Sequence, residues 1–312
     1  MGKITYLQPR RSDVKPILVL LTSHSLDCFL ICVRCLERFT DFTRLSHVYV
    51  LADTVNQDHL ALARRFAARH DNVTVLEHES YGSTPAMRMA QNALYLRHID
   101  NAIITLDATI FVTPLWLEHL LDGYQEHLGR ADVPLVMPLV PISPAGRHIL
   151  NGFLRVAYPS ERNMYCGPPI EENWSYHRWI WEKLLYENMA DIYLHDNPPK
   201  YGYVGHASLN CLLLDRRILE RLLPFPENPG PPAAQELVLN ALLHQDGMKA
   251  AVLGRSLAHH YSYPDCEAYL RAHVPLDRVW RYVQGTPDAP TSGLRAREAL
   301  GRREMSRLRL SG

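Results

Sequence analysis

Residues Asn101–Leu121 read NAIITLDATIFVTPLWLEHLL. The run Ala102-Ile103-Ile104-Thr105-Leu106 is apolar and partly β-branched, without alternation. Such a run fits a strand buried on both faces of a parallel sheet. It stops at Asp107. A carboxylate is costly inside a core, so Asp107 is expected where the strand leaves it. Thr113-Pro114 then reads as a helix cap and first helical residue. Trp116, Leu117, Leu120, Leu121, Tyr124 and Leu128 follow at helical spacing. The carboxyl end of a central strand is where open α/β sheets bind ligands.

Working outward, strand and helix alternate on both sides. Strands are expected at Ile17–Leu21, His47–Leu51, Val73–Leu76, the run ending in Asp107, and Leu135–Pro138. Helices are expected at Leu26–Phe39, Gln57–His70 and Ala86–Arg97. This alternation predicts an α/β fold with a mostly parallel, Rossmann-like sheet and helices on both faces. From Pro141 to Val204 the chain is aromatic and reads as loop-rich, apart from a helix near Tyr176–Met189. Its aromatic faces suit sugar rings, and equally a satellite core beneath loops. Ser208–Leu214 and Lys249–Leu253 read as further strands, with helices at Arg216–Leu223 and Gln235–Gln245. The second of these helices is expected to stop near Gly247. The expected organisation is one domain over 1–263, with halves at about 16–140 and 141–263. A C-terminal helical appendage, 264–312, follows it.

The chain has 312 residues and a formal net charge of zero, so no nucleic-acid partner is expected. Six cysteines without a disulfide framework suit reduced thiols in a cytoplasm. No apolar stretch reaches membrane-spanning length. Leu294–Gly312 carries six arginines against two glutamates, which suits peripheral contact with an anionic membrane or simply a solvated end.

The Asp107 segment resembles the region around the DxD motif of GT-A glycosyltransferases of family 2. There a strand ends in a pattern like LDADxxVxPxWLxxLL; here it is Leu106-Asp107-Ala108-Thr109, Thr113-Pro114 and Trp116-Leu117. Thr109 stands at the second aspartate, so the motif is degenerate. Gln235-Glu236, then Gly247 and His260, resemble that family's ED…G…H pattern. The resemblance implies transfer of a sugar from a nucleotide-sugar to a glycan or other hydroxyl acceptor, with inversion. It implies Glu236 as the base that deprotonates the acceptor. Asp107 and His260 would serve a divalent metal, Mn or Mg, with Asp107 also able to reach a ribose hydroxyl. Thr22, Ser23, His24 and Asp53 would line the nucleotide pocket. Gly82, Arg88 and Asn92 resemble the loop and helix that cover it.

Each of these residues has a plainer reading, such as a loop-capping carboxylate or, for Glu236, a first-turn acid favoured by the helix dipole. Three alternatives stay open. One is a GT-like protein that binds a nucleotide or glycan without turnover. Another is a nucleotidyltransferase, which shares the fold type. The last is a radical SAM enzyme using Cys28, Cys32 and Cys35, whose spacing fits an iron–sulfur motif but also one buried helix face.

Overall fold

The computed structural model describes residues 14–22, 25–78, 85–165, 169–196, 198–225 and 234–285. Ser23, His24, Gly82 and the basic stretch 294–312 lie outside the described residues. In chain order the elements are β1 (Ile17–Leu21), α1 (Leu26–Phe39), β2 (His47–Asp53), α2 (Gln57–Ala67), β3 (Val73–His78), α3 (Pro85–Arg97), β4 (Ile103–Asp107), β5 (Ile110–Val112), α4 (Trp116–His127) and β6 (Leu135–Leu139). They continue as α5 (Pro144–Ala157), α6 (Pro159–Tyr165), α7 (Trp174–Glu187), α8 (Met189–His195), β7 (Tyr201–Val204) and β8 (Cys211–Leu214). The last are α9 (Arg216–Leu222), α10 (Ala234–Gln245), β9 (Ala250–His260), α11 (Pro264–His273) and α12 (Leu276–Val283).

These elements form two compact units, one of Met1–Leu139 with Lys200–Ala258 and the other of Val140–Pro199 with His259–Gly312, each taken here over its described residues. The first unit carries the sheet, in the order β3-β2-β1-β4-β8-β6-β9-β5, with β7 paired to β9. Strands β3, β2, β1 and β4 are mutually parallel. Strand β8 runs antiparallel to both β4 and β6, and β6 is parallel to β9. Six strands therefore share one direction, and the expected mostly parallel α/β sheet holds. Strands β1, β4 and β6 are buried almost throughout, which is why their sequences show no alternation.

The chain steps outward from β1 to β2 to β3, then returns past β1 to β4. Right-handed crossovers put α1 and α2 on one face and α3 on the other. In agreement, α1 and α2 touch each other, while α3 packs on β2 and β3. The reversal leaves a switch point between the carboxyl ends of β1 and β4, the place where open sheets of this kind hold ligands.

Local signals explain most of the ends. Ser25 caps α1 by accepting from the Cys28 amide, and Asn56 caps α2 by accepting from the His59 amide. Helix α1 continues through Cys28, Cys32 and Cys35, all of which are buried. Burial pushes the Cys35 thiol up to about 12 and the Cys32 thiol well above its usual value.

Three local expectations are corrected. Thr113-Pro114 does not start a helix: the short strand β5 comes first, the Thr113 hydroxyl donates to Leu257 O at 2.7 Å, and α4 begins only at Trp116 after Leu115 at φ 62°. The middle of the chain is helical rather than loop-rich, through α5 to α8. Helix α7 buries Tyr176, His177, Trp179, Ile180, Trp181, Lys183, Leu184 and Leu185. A helix buried on most of its faces shows little 3.6-residue contrast in sequence. Strand β9 runs on through Gly254 to His260, so His259 and His260 end a strand rather than follow one.

Candidate functional site

Leu21, the last residue of β1, is paired in register with Asp107, the last of β4. The Ala108 amide donates to Leu21 O at 2.9 Å, which pins the turn leaving β4 to the end of β1. Asp107 thus stands at the switch point, partly buried. Its Oδ1 accepts from the Thr109 amide at 2.7 Å and the Thr109 hydroxyl at 2.6 Å. Thr109 is therefore a donor to Asp107, and it is itself buried.

Strand β2 is parallel to β1 and delivers Asp53 to the same edge of the sheet, as expected of successive parallel strands. Asp53 Oδ1 accepts from the Val55 amide at 2.9 Å, closing the turn into α2. Thr22 is tied to the end of β2, its hydroxyl donating to Leu51 O at 2.9 Å. Beside Asp53, in register, is His78, the last residue of β3. Both ring nitrogens of His78 are buried without a hydrogen-bond partner among the described residues. Burial lowers its pKa from the ordinary value, with the Asp53 charge opposing. His78 was missed in the sequence. The signal that marks it is its position at the end of a third parallel strand.

Arg88 lies in the first turns of α3, half-buried. Burial lowers its pKa, and it forms no ion pair among the described residues. A desolvated guanidinium of this kind suits a phosphate or carboxylate brought by a ligand. Asn92, one turn on, has a structural task instead. Its amide donates to Phe225 O and accepts from Phe225 N, each at 2.9 Å.

Glu236 sits in the first turn of α10. Its Oε1 accepts from the Ser208 hydroxyl at 2.7 Å and the Leu209 amide at 2.9 Å. One turn on, Asn240 accepts from the Ala207 amide at 2.7 Å. The loop so clamped continues to Asn210, whose carbonyl accepts from the Asp107 amide at 2.7 Å. Hydrogen bonds from three backbone amides, those of Ala207, Leu209 and Asp107, therefore link the surroundings of Glu236 and Asp107, although the two residues are far apart in sequence.

His260 belongs to the second unit. It is buried, its ring lies 4.8 Å from that of Tyr263, and its Nδ1 has no hydrogen-bond partner among the described residues. Burial, reinforced by nearby His177, lowers its pKa to about 3. His259 is also buried, and burial lowers it to about 4. Both imidazoles are neutral at pH 7, the form that a metal requires. Among the described residues, no group of three or more His, Cys, Asp or Glu is arranged to hold a metal. None of the described helices is long and apolar enough to cross a membrane.

The edge around β1, β2, β3 and β4 thus gathers two carboxylates, a hydroxyl, an imidazole and, from α3, an arginine without an ion pair among the described residues. Carboxylates here can accept from sugar or ribose hydroxyls, and the arginine can meet a diphosphate.

No protein-family profile matches the chain, and no curated protein matches it in sequence. Among solved structures, the chain is similar to GalNAc-T7 crystallised with UDP, GalNAc and Mn2+, at 13% identity and a TM-score of 0.50, over 80% of this chain and 44% of that one. It also matches the mannosyltransferase PcManGT from Pyrobaculum calidifontis, in complex with GDP-Man and Mn2+, at 15% identity and a TM-score of 0.44, over 78% of this chain and 60% of that one. The chain spans less than two thirds of either structure. The first of these likenesses, joined to the strand order above, identifies the fold as that of the GT-A glycosyltransferases.

Proposed function

We propose that the protein transfers a sugar from a nucleotide-sugar to a hydroxyl acceptor with inversion. The observation that carries this reading is the pairing of Asp107 with Leu21 at the switch point of a GT-A sheet, with Glu236 linked to it through the 208–210 loop. In the proposed reaction the acceptor oxygen bonds to the anomeric carbon. The bond from that carbon to the diphosphate breaks, and its electron pair leaves with the nucleoside diphosphate. The acceptor proton goes to the Glu236 carboxylate. Thr22 and Asp53, with Ser23 and His24, hold the nucleoside, and Arg88 meets the diphosphate. The nucleotide half is residues 16–140 and the acceptor half 141–263.

A divalent cation, Mn or Mg, supplies charge neutralisation for the departing diphosphate when bound. Asp107 is the residue of the first unit that would hold it. Asp107 offers one carboxylate, already bonded by Thr109. That fits a hard cation which keeps phosphate and water ligands and takes few from protein.

A second reading, nucleotide or glycan binding without turnover, is favoured by one observation: the Thr109 hydroxyl occupies Asp107 Oδ1, where the family pattern has a second carboxylate.

The test is a thermal-shift screen of nucleotide-sugars and nucleoside diphosphates, with and without manganese, followed by transfer assays. A ligand at 100 times its Kd stabilises the native state by about 2.7 kcal/mol. One nucleotide series should raise the melting temperature, and Glu236→Gln should bind the donor as before while losing about 100-fold or more in transfer. The amide oxygen still accepts from Ser208 and Leu209, so folding should survive. Absence of any nucleotide effect would overturn the transfer reading and the nucleotide-binding form of the second. Binding with no transfer by the unmodified protein would leave the binding-only reading in force. Equal turnover by the Gln variant would remove Glu236 from the base role.

A further inference from the structure

Four polar side chains are buried in the first unit between β4, α3 and α10. Thr105 and Tyr95 are fully buried, Gln91 is 1% exposed and Gln235 9%. They form one chain of hydrogen bonds. The Tyr95 hydroxyl bonds Thr105 Oγ1. Gln91 Nε2 donates to the Tyr95 hydroxyl at 3.2 Å, and Gln235 Nε2 donates to Gln91 Oε1 at 3.3 Å. Thr105 is two residues before Asp107 on β4, so the two share a face of that strand. Gln235 immediately precedes Glu236.

The chain closes on itself. From Glu236 it passes through the Leu209 amide at 2.9 Å to Asn210, whose carbonyl takes the Asp107 amide at 2.7 Å. The circuit therefore runs from Asp107 to Thr105, Tyr95, Gln91, Gln235, Glu236, Leu209, Asn210 and back. Two regular elements, β4 and α10, are joined by hydrogen bonds on both sides.

Burial of four polar side chains is unfavourable unless all are paired, and apolar residues of similar size pack such a space as well. What a paired polar network adds is a single allowed alignment, because hydrogen bonds have fixed partners and directions where apolar packing does not. We propose that this buried circuit is a positioning device that fixes Glu236 relative to Asp107, with Gln91 and Gln235 as its positioning residues. The inference rests on the reading of Glu236 as the acceptor base. The circuit acts chiefly on the transfer step rather than on donor binding, since neither glutamine is among the residues assigned to the nucleotide.

The experiment compares Gln91→Met, Gln235→Met and the double variant by melting temperature, by donor KM and by kcat. Each single variant leaves one buried amide unpaired, so both melting temperature and kcat should fall. The double variant removes both amides, and its melting temperature should recover towards that of the unmodified protein. If the circuit positions Glu236, kcat of the double variant stays about tenfold down, while donor KM changes less than about twofold. Recovery of kcat together with melting temperature would overturn the proposal and make the network a matter of stability alone. Tyr95→Phe removes one oxygen and keeps the ring, so it serves if the methionine variants fail to fold. It should lower kcat several-fold without moving donor KM, and unchanged kcat there would also overturn the proposal. A protein that binds nucleotide-sugars but transfers none would overturn the underlying reading, a distinct result from transfer whose rate merely follows stability.

Discussion

Thr109 decides the electrostatics around Asp107. Both its amide and its hydroxyl donate to Asp107 Oδ1, at 2.7 and 2.6 Å, and the residue is only 6% exposed. Thr109→Asp exchanges a donor for a second carboxylate in a nearly closed space. Without a cation the two charges repel, and one hydrogen bond to Asp107 is lost. The variant should be less stable in chelator by about 1–3 kcal/mol. Manganese with a nucleoside diphosphate should recover that loss, since hard cations bind more tightly as charged oxygen ligands are added. Calorimetric titration of manganese into both proteins, with the diphosphate present, reads this out. A variant that folds yet binds manganese no better would remove positions 107 and 109 from any cation site. At this scale the position of Asp107 was legible, because a charge ends an apolar run. The bond between Glu236 and Leu209 was not, because a contact across that separation leaves no local trace.

Two glycines at helix ends separate backbone conformation from close packing. Helix α10 ends in a Schellman turn: the Met248 amide donates to Leu243 O at 2.8 Å, the Gly247 amide to His244 O at 3.3 Å, and Gly247 has φ +64°. A Cβ at Gly247 would meet nothing within 4 Å. Gly247→Ala should therefore cost only the left-handed penalty, about 1 kcal/mol. Gly146, in the first turn of α5, is different: a Cβ there would lie 1.7 Å from Val140 O. The backbone itself must move, so Gly146→Ala should cost about 3 kcal/mol. Urea midpoints of the two variants should rank accordingly. An equal cost at both sites would mean that α5 does not begin against the Val140 carbonyl. The stop at Gly247 was legible from composition. The tight start of α5 was not, since it depends on how residues 140–143 turn.

A pH effect is expected from the second unit, where three imidazoles are buried. Burial, with nearby charge at two of them, lowers His177 to about 4, His259 to about 4 and His260 to about 3. The unfolded chain binds protons at these groups near the ordinary histidine value of about 6.5, while the folded one does not until much lower pH. Their contribution is thus fully present above about pH 6.5 and is lost as pH falls towards 4 and below. Each group adds a slope of up to about 1.4 kcal/mol per pH unit in that window. Asp191, whose carboxyl burial pushes up, opposes this over a smaller range. Melting temperature should be flat from pH 8 to 7 and fall between 6.5 and 4, and His177→Phe should flatten the fall. A level profile from pH 7 to 5 would show that these rings are protonated or exposed.

What the sequence determined by itself is local burial and direction. Continuous apolar runs marked β1, β4 and β6 because a strand covered on both faces leaves no alternation. Parallel pairing then brought Asp53 and Asp107 to one edge without further information. The cysteine spacing in α1 likewise matched one buried helix face. Tertiary structure decided the rest. It set β8 antiparallel between β4 and β6, turned the aromatic middle into helices, and gave Asn92 to Phe225 rather than to a ligand. It also closed the circuit from Gln91 to Gln235 across 144 residues. The physical reason is common to all of these. Periodicity records whether a side chain is buried, whereas the partner it meets there is chosen by chain topology and by the requirement that every buried donor and acceptor be paired.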